Sequence, residues 1–475
     1  MVGIVSYGAY IPYYRLKKDT AAQAFGKRAG KGAKAVAYCD EDSITMSVAA
    51  AINAMNGLDA SKLSAVYFAS STSPYQEKLC AAEVAAALDA DLSLRAADFS
   101  NSLRACSNAV FAAAENVAEN GGNAMVTMSD CRLGAADGKF ETDLGDAAAA
   151  FVIGTEDLLA TIDGKVSVCR DAADQWRADD DIFVRNWDPR YANTQLYTPL
   201  VTKAVKELLA KLDLQPADFS KIVLYGHDDK TRIALAAKLG FQPEQIVGSL
   251  YSSIGNSGNA AVGIMLCAAL DTAKAGERIL VVTYGEGCDA AALTVTEKAD
   301  GYRPLRSVET LLAHMDDCLP YGKYLKWKGM IPVEPQKRPA QERSALPDYY
   351  RNYKKNHAFY GCRCTQCGTP FFPPQRVCVH CHAIDKMEPY RFFDKKARIR
   401  TFTIDGLSVS LDSPNILVVL EFEGGGKLMT YLVDCKKEDV RVGMPVRPTF
   451  RKMFKANGIS TYFWKVVPAE EEAQA

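Results

Sequence analysis

The sequence lacks a strong net charge and a long apolar run. Its 475 residues carry 56 lysines and arginines against 57 aspartates and glutamates, so charge gives no reason to expect nucleic acid or an anionic membrane as a partner. No apolar run approaches the roughly 18 residues of a membrane helix. The N-terminus enters an apolar strand with no basic segment before it, which predicts a cytoplasmic protein without a signal peptide.

Histidine is scarce, with five in the chain, whereas cysteine is abundant, with fourteen. Five of the cysteines fall between residues 362 and 381, and in a reducing cytosol such a cluster is typical of a metal site. Its two C-x2-C pairs predict four thiolates around one structural zinc ion, with no position left open for a substrate. The predicted ligands are Cys364, Cys367, Cys378 and Cys381. Cys362, His380 and His382 lie close to them, and disulfides or free thiols are the alternative.

Up to about residue 300 the chain alternates apolar runs with alanine-rich stretches, which predicts an α/β fold with buried sheets. The predicted strands are 64–70, 124–130, 147–154, 221–227 and 278–285. The predicted helices are 43–57, 231–240 and 258–276, and the last two end on a glycine, as a C-terminal cap does. A weak internal repeat, GDAAAAFVIG at 145–154 and YGEGCDAAALTV at 284–295, predicts that two halves of this region are duplicates.

The rest of the chain has a different pattern. Residues 326–358 are rich in proline and charge, and we interpret them as a surface linker. After the cysteine cluster come short alternating runs with glycine turns, which predict a small β-barrel. Its predicted strands are 398–404, 416–423, 428–434, 446–454 and 460–467. The acidic tail at 470–475 is expected to fray.

Cys106 is the candidate nucleophile, because it precedes a helical run. A helix N-terminus favours a thiolate and can supply an N–H group to an oxyanion; an inert buried cysteine is the alternative. Such a nucleophile needs a base, and His227, at the end of a predicted strand, is the histidine placed best for it. Asn256 lies in a glycine-flanked turn before an apolar helix. Taken singly, His227 and Asn256 are equally well explained as cap or turn residues.

The segments around these residues together resemble the 3-hydroxy-3-methylglutaryl-CoA synthases, particularly the archaeal type, and more broadly the thiolase superfamily that includes ketoacyl synthase III. The matching segments are MVGIVSYGAYIPYYRLKK at 1–18, the Cys106 helix start, GHDDKTRIALAAKLGF at 226–241, SIGNSGNAAVGI at 253–264 and ERILVVTYGEGCDAAAL at 277–293. The resemblance implies a duplicated five-layer αβαβα fold and a homodimer or larger homo-oligomer that acts on acyl-CoA. It makes Cys106 the acylated nucleophile, with His227 and Asn256 as its partners from the second half.

The cysteine cluster and the strands after it resemble a zinc ribbon plus OB-fold domain that is fused to, or partnered with, thiolase-like enzymes. The resemblance implies an accessory that helps to bind acyl-CoA or holds a complex together. From Cys362 to Ala475 there are 17 lysines and arginines against 13 acidic residues, an excess that fits the phosphates of CoA as well as nucleic acid. The predicted domains are 1–325 (halves 1–157 and 158–325), the linker 326–358, the zinc ribbon 359–388, the OB-fold 389–469 and the tail 470–475.

One position departs from the synthase pattern. The synthases carry a catalytic glutamate in the loop that follows the strand at 64–70, and an ungapped match through SSTSPYQEK puts Ser71 there. A serine hydroxyl cannot carry a proton at neutral pH as a carboxyl group can. Glu286 and Cys288, in YGEGCDAA, are candidate substitutes, because thiolases use a second cysteine in the equivalent loop. Each is equally well explained as a loop or core residue.

These observations predict a CoA-dependent acyltransferase that makes or breaks a carbon–carbon bond, by Claisen condensation or by thiolysis of a β-ketoacyl-CoA. The N–H of Cys106 and a glycine of the 285–287 loop, Gly285 or Gly287, are expected to stabilise the oxyanion. His227 and Asn256 are expected to bind the carbonyl oxygen of the second thioester. The alternatives are a thiolase-like aldolase that works without an acyl-enzyme, and a non-catalytic scaffold or nucleic-acid-binding protein.

Overall fold

The computed structural model describes residues 1–28, 30–334, 346–408 and 410–469. The predicted acidic tail and part of the predicted linker lie outside these ranges. Two compact units are present. The first comprises Met1–Tyr38, Asp42–Ala85 and Ala90–Tyr324, and the second comprises Cys39–Glu41, Ala86–Asp89 and the chain from Leu325 onward.

The strands follow the apolar runs of the sequence. They are β1 (Gly3–Tyr10), β2 (Tyr14–Lys17), β3 (Ala33–Val36), β4 (Leu63–Ala69), β5 (Arg95–Phe99), β6 (Asn123–Asp130), β7 (Ala147–Gly154), β8 (Ala160–Cys169), β9 (Gln175–Trp176), β10 (Arg185–Asn186), β11 (Lys221–Leu224), β12 (Arg278–Tyr284), β13 (Gly287–Val295), β14 (Tyr360–Cys364), β15 (Pro370–Phe371), β16 (Met387–Arg391), β17 (Ala397–Asp405), β18 (Asn415–Phe422), β19 (Lys427–Leu432), β20 (Pro445–Ala456) and β21 (Ile459–Pro468).

The helices lie mainly in the first unit. They are α1 (Lys18–Gln23), α2 (Ser43–Met55), α3 (Cys80–Leu88), α4 (Ala105–Asn120), α5 (Lys139–Asp143), α6 (Pro189–Tyr191), α7 (Thr198–Leu212), α8 (Asp229–Lys238), α9 (Tyr251–Ile254), α10 (Asn259–Leu270), α11 (Lys298–Gly301), α12 (Val308–Ala313), α13 (Tyr321–Trp327), α14 (Leu346–Arg351) and α15 (Tyr353–His357). The last two fall in the range that we interpreted as a linker. Within the described ranges, no helix combines the length and the apolar character needed to cross a bilayer.

Nine strands of the first unit form one sheet in the order β11-β12-β13-β8-β1-β7-β6-β4-β5. The antiparallel pair β1–β8 joins two halves with the same local order. In the first half β7 lies between β1 and β6, and in the second half β13 lies between β8 and β12. These are the two strands of the weak sequence repeat, so the repeat corresponds to equivalent positions in a duplicated unit.

Helices cover both faces of this sheet and separate its halves. On one side α2 packs against β1, β6 and β7, and on the other α7 packs against β8 and β13. Between them α4 contacts β4 and β6, α10 contacts β7 and β11, and the two helices touch each other. The layers therefore alternate as αβαβα. Since α10 has no polar stripe, with nearly all of its residues buried, it suits the central layer.

Two predicted boundaries are wrong in detail. The strand β11 ends at Leu224, so His227 lies three residues beyond it. The chain turns there because Asp228 accepts a hydrogen bond from the amide of Thr231 and caps α8. Helix α10 ends at Leu270 rather than at Gly276. Asp271 is its C-terminal cap residue, and the Asp271 carboxylate accepts from Tyr7 Oη and from the Val308 amide.

The second unit contains a three-stranded sheet and a closed barrel. The sheet has the order β15-β14-β16, and the barrel has the order β17-β18-β19-β21-β20. All five barrel strands that the alternating pattern predicts are present. Their burial alternates along β18 as it does along a strand with one face in a core.

Candidate active site

A cavity of about 660 Å³ opens beside the loops that follow several strands of the first unit. Its walls include four of the sequence-predicted positions: Ser71 after β4, His227 after β11, and Gly285 and Glu286 between β12 and β13. Leu103, from the segment before α4, and Arg132, from the segment after β6, also line it. Strand ends from both halves therefore converge on one polar cavity, as expected for a site at the edge of an α/β sheet.

His227 is held on both ring nitrogens. Its Nε2 donates to Asp174 Oδ2 at 2.7 Å, and its Nδ1 accepts from Gln175 Nε2 at 3.0 Å. Tyr284 Oη donates to the same Asp174 oxygen at 3.0 Å. Burial acts to raise the pKa of Asp174, but hydrogen bonds from His227 and Tyr284 and the nearby charge of Arg132 hold that pKa below its usual value. The imidazole is therefore oriented by an ionised carboxylate.

Glu286 is suited to proton transfer. It lies in the turn between β12 and β13 with a φ of +45°, a left-handed conformation that is uncommon for a residue with a side chain. Its Oε2 accepts from Ser102 Oγ at 2.9 Å. Burial raises its pKa, against the opposing effects of the Ser102 hydrogen bond and the Arg104 charge. A carboxyl group with a raised pKa at a cavity wall is typical of a general acid or base.

Cys106 lies at the start of α4, as its sequence context predicts, but it is only 3% exposed. Burial, with the negative charge of Asp289 second, raises the pKa of Cys106 to about 12. The expected thiolate is therefore wrong for the substrate-free protein, because desolvation outweighs the helix amides. Cys106 Sγ lies 3.6 Å from the carbonyl oxygen of Leu103. Since Leu103 lines the cavity and Cys106 does not, this residue connects the cavity wall to the thiol.

The backbone N–H groups expected to form the oxyanion hole are engaged in this structure. The Cys106 amide donates to Asn259 Oδ1 at 3.0 Å, and the Gly285 amide donates to the Gly287 carbonyl at 3.1 Å. Both glycines are needed for close packing. A Cβ on Gly285 would lie 3.1 Å from the Leu103 amide, and one on Gly287 would collide with Arg104. The 285–287 loop therefore packs closely against the segment that precedes Cys106. The Gly285 N–H, however, is engaged within the loop by the Gly287 carbonyl.

Asn259 and Asp130 join the Cys106 segment to the Ser71 loop, and sequence reasoning missed both. Asn259 Nδ2 donates to Asp130 Oδ2 and to the Ser102 carbonyl, each at 3.1 Å. Asp130 Oδ1 accepts from the Ser71 amide at 2.7 Å. The motif SIGNSGNAA contains two asparagines, and the sequence drew attention only to the first.

Asn256 and Cys288 are not brought to the cavity. Asn256 Nδ2 donates to Tyr225 Oη at 3.2 Å, and its Oδ1 accepts from the Gly258 amide at 3.0 Å. Cys288 lies in β13 and is fully buried, and this burial raises the pKa of its thiol. Glu286, two residues earlier, lies in the turn before β13 with a left-handed backbone, whereas Cys288 lies inside the strand. Cys288 is therefore a core residue here.

The four predicted zinc ligands come together in the second unit. Their sulfur atoms all lie within 4.8 Å of one another. Cys364 Sγ is 3.6 Å from Cys381 Sγ, and Cys367 Sγ is 3.5 Å from Cys378 Sγ. This set of four thiols fits a tetrahedral zinc ion. Cys362 stands apart from them, because its Sγ accepts a hydrogen bond from the Gln375 amide at 3.3 Å.

Known proteins match both units. The chain is 33% identical over 342 residues to a hydroxymethylglutaryl-CoA synthase of Methanopyrus kandleri, a match that covers 69% of this chain and 97% of the relative. The chain belongs to the hydroxymethylglutaryl-CoA synthase family. A hydroxymethylglutaryl-CoA synthase of Methanocaldococcus jannaschii is likewise 33% identical, over 70% of this chain and 99% of the relative.

Domain families and solved structures agree with this membership. The family described as 3-oxoacyl-(acyl-carrier-protein (ACP)) synthase III C terminal matches residues 209–296. The ChsH2 rubredoxin-like zinc ribbon domain matches 351–385, and the ChsH2 C-terminal OB-fold domain matches 390–451. A crystal structure of HMG-CoA synthase complexed with CoA superposes with a TM-score of 0.61 at 19% identity, over 68% of this chain and 89% of that one. MvaS in complex with 3-hydroxy-3-methylglutaryl coenzyme A gives 0.61 at 21%, over 71% and 94%. These superpositions show that the chain has the thiolase-like fold that its sequence predicts.

Proposed function

We propose that this chain is a CoA-dependent acyltransferase that makes or breaks a carbon–carbon bond through an acyl group on Cys106, and that it does not make 3-hydroxy-3-methylglutaryl-CoA efficiently. The observation that carries the proposal is the position of Glu286. It lines the same cavity as Ser71 and His227, and burial raises its pKa. A carboxyl group is thus present at the site, but on a different loop from the one that the synthase pattern uses.

The acylation step involves Cys106 alone. Its Sγ attacks the carbonyl carbon of an acyl-CoA, the bond from that carbon to the CoA sulfur breaks, and the thiol proton passes to the departing CoA. Because the Cys106 amide donates to Asn259 Oδ1, this N–H must be released before it can stabilise the oxyanion. The Cys106 thiol is also buried, so the segment around Leu103 must move before the thioester can reach it.

The second step involves Glu286 and His227. The Glu286 carboxylate removes a proton from the carbon next to the carbonyl of the second thioester. The carbanion attacks the acyl group on Cys106, the new carbon–carbon bond forms, and the cysteine sulfur leaves and regains the proton. His227 and Asn256 stabilise the enolate oxygen by hydrogen bonding. The Nε2–H of His227, which now donates to Asp174, must then be shared with that oxygen, and the Asn256 amide must leave Tyr225 and turn toward the cavity. The reverse sequence is thiolysis of a β-ketoacyl-CoA.

The second unit has an accessory role in this proposal. Its four cysteines hold one structural zinc ion per chain, which stabilises the ribbon and performs no chemistry, because four thiolates leave no open position. The barrel helps to bind acyl-CoA, consistent with its basic excess. We propose that the protein is cytoplasmic, since its thiols require a reducing compartment. We also propose that it forms a homodimer or a larger homo-oligomer.

Intact-mass measurement after incubation with a panel of acyl-CoAs tests the acyl-enzyme. We expect an added mass equal to one acyl group in the native protein and none in Cys106→Ala. Cys288→Ala is the matched control, because it also removes a buried thiol, and it should acylate normally. An adduct that survives in Cys106→Ala would contradict the proposal.

Steady-state kinetics test the assignment of the acid and base. We expect slow addition of acetyl-CoA to acetoacetyl-CoA in the native protein, because loss of a positioned acid or base typically costs about 10²–10⁴-fold. Ser71→Glu should increase this rate. Glu286→Gln should suppress β-ketoacyl-CoA thiolysis while acylation of Cys106 persists. Fast native synthase turnover that Glu286→Gln leaves unchanged would refute the assignment.

A thiolase-like aldolase is the second candidate, and one observation favours it. The Cys106 thiol is buried with a pKa raised to about 12, and its amide is engaged, which is the arrangement expected if no acyl-enzyme forms. Such a lyase would cleave its substrate normally in Cys106→Ala. The same variant therefore separates the two candidates.

A further inference from the structure

Arg132 carries a buried N–H group with no acceptor. The residue is only 6% exposed and lines the cavity. Its Nη2 donates to Gln175 Oε1 at 2.8 Å, whereas Nη1 has no hydrogen-bond partner among the described residues. A buried unpaired donor is costly, and more so when it is charged. The guanidinium is therefore short of an acceptor.

The carboxylates near Arg132 are already supplied with donors. Asp130 accepts from the amides of Ser71 and Asn259 and from the Asn259 side chain. Asp174 accepts from His227 and Tyr284. Neither forms a direct hydrogen bond with Arg132. The missing acceptor is therefore not one of these two acids.

Ser71, a second residue of the cavity wall, also has a buried polar atom without a hydrogen-bond partner among the residues that the structure describes. Ser71 Oγ is buried and has no hydrogen-bond partner within the described part of the chain. Ser71 and Arg132 both line the cavity that His227 lines, and the loops that carry them meet at Asp130, which the Ser71 amide contacts. Two unpaired polar groups at one cavity, a cation and a hydroxyl donor, match the needs of an anion.

We propose that Arg132 binds a carboxylate at the far end of the acyl chain of the second substrate, which makes that substrate the CoA thioester of a dicarboxylic acid. The inference rests on the proposed function, because it concerns the substrate whose carbonyl group His227 binds. Gln175 connects the two residues, since it accepts from Arg132 and donates to His227. A carboxylate bound to Nη1 would therefore hold the far end of the acyl chain near the imidazole, with the Gln175 side chain between Arg132 and His227. A guanidinium suits a planar carboxylate better than an ammonium group does.

Binding measurements in a Cys106→Ala background test this without depending on turnover. The probes are ω-carboxyacyl-CoAs of graded chain length and their ω-methyl esters, titrated by calorimetry. With Arg132 intact, we expect the acid to bind about 100-fold more tightly than its ester at the best length. This comparison needs no change at Arg132, so it holds even if an Arg132 variant fails to fold. Equal binding of acid and ester would overturn the proposal.

Substitution then assigns the preference to the residue. Arg132→Gln should abolish the preference for the acid while free CoA binds as before. Arg185→Gln is the control, because Arg185 is an exposed arginine outside the cavity wall that pairs with Asp181; it should retain the preference.

If Arg132→Gln weakens the binding of acid, ester and free CoA equally, Arg132 contacts a CoA phosphate or serves the fold, and the proposal is wrong. Arg177 also lines the cavity, where it donates to the Ser71 carbonyl; if Arg177→Gln rather than Arg132→Gln removes the preference, the assignment is wrong. A failed acylation of Cys106 would leave these binding results unaffected.

Discussion

The side chain of Asn259 accepts a hydrogen bond from the backbone N–H of Cys106 at 3.0 Å. Asn259 is the first residue of α10, and Cys106 is the second residue of α4, so the two central helices meet with their N-termini linked at Cys106, the proposed nucleophile. The same side chain donates to Asp130, which in turn accepts from the Ser71 loop. One asparagine therefore connects the Cys106 amide with the loop that carries Ser71.

Removing that asparagine should lower stability and speed acylation, because the Cys106 N–H is then free for the oxyanion. Asn259→Ala leaves the Cys106 amide without its acceptor and takes a donor from Asp130, both buried, and each such loss costs about 1–3 kcal/mol. Urea denaturation measures the first effect, and the rate of mass gain at Cys106 measures the second. Asn120→Ala, at the exposed end of α4, should change stability by less than about 0.5 kcal/mol. Equal effects of the two variants would show that the Asn259 link has no special role.

The pH dependence of Cys106 labelling should follow its raised pKa. Because the pKa lies at about 12, the rate of iodoacetamide labelling should rise continuously from pH 7 to pH 10 with no plateau. Asp289→Asn removes the nearest negative charge among the causes of the shift, so it should lower this pKa and speed labelling at a given pH. Peptide mapping measures the rate. Asp163→Asn, an exposed substitution, should leave the profile as it is, and an unchanged profile in Asp289→Asn contradicts the argument.

The contribution of Asp174 to stability should disappear in acid. Its folded-state pKa is lowered, so its stabilising effect is complete above the unfolded pKa of about 3.9 and is lost as pH falls through the lower folded value. Native protein should therefore exceed Asp174→Asn in unfolding free energy at pH 7, with the difference shrinking below pH 4. In the same variant we expect acylation of Cys106 to persist and the carbon–carbon step to slow by about 100-fold or more, because His227 loses its orienting partner. Normal turnover at this step would contradict the role of the pair.

Zinc content should depend on the four predicted zinc ligands and not on the neighbouring Cys362. Elemental analysis of the native protein should give about one zinc per chain, and Cys367→Ser should lose the metal and unfold the ribbon, since small zinc units depend on their ion for folding. Cys362→Ser is the matched control, because Cys362 lies in the same strand as Cys364 but outside the cluster. Loss of zinc from this control would mean that the ligand set is different.

Local patterns predicted the elements that short-range chemistry controls. Strands such as β7 at Ala147–Gly154 agree with their apolar runs, because burial of both faces demands continuous hydrophobicity. The two C-x2-C pairs predicted the thiol cluster, because the spacing itself builds each half of the site. The barrel strands were likewise predicted from alternation with glycine turns. Predicted boundaries failed at the ends of some elements, such as α10, which ends at Leu270 rather than at Gly276.

The sequence by itself therefore predicted the strand and helix pattern, the cluster of four thiols and the helix position of Cys106, because each depends on neighbouring residues, while the layered αβαβα fold was expected from the family resemblance. Tertiary structure alone decided between Glu286 and Cys288, which are two residues apart: the turn directs the first to the cavity, and β13 buries the second. It also brought Asp174 to His227 and placed Arg132 at the cavity with an unpaired N–H. These partners lie on separate segments that carry no motif, and only the folding of both halves onto one sheet edge puts them within hydrogen-bonding distance.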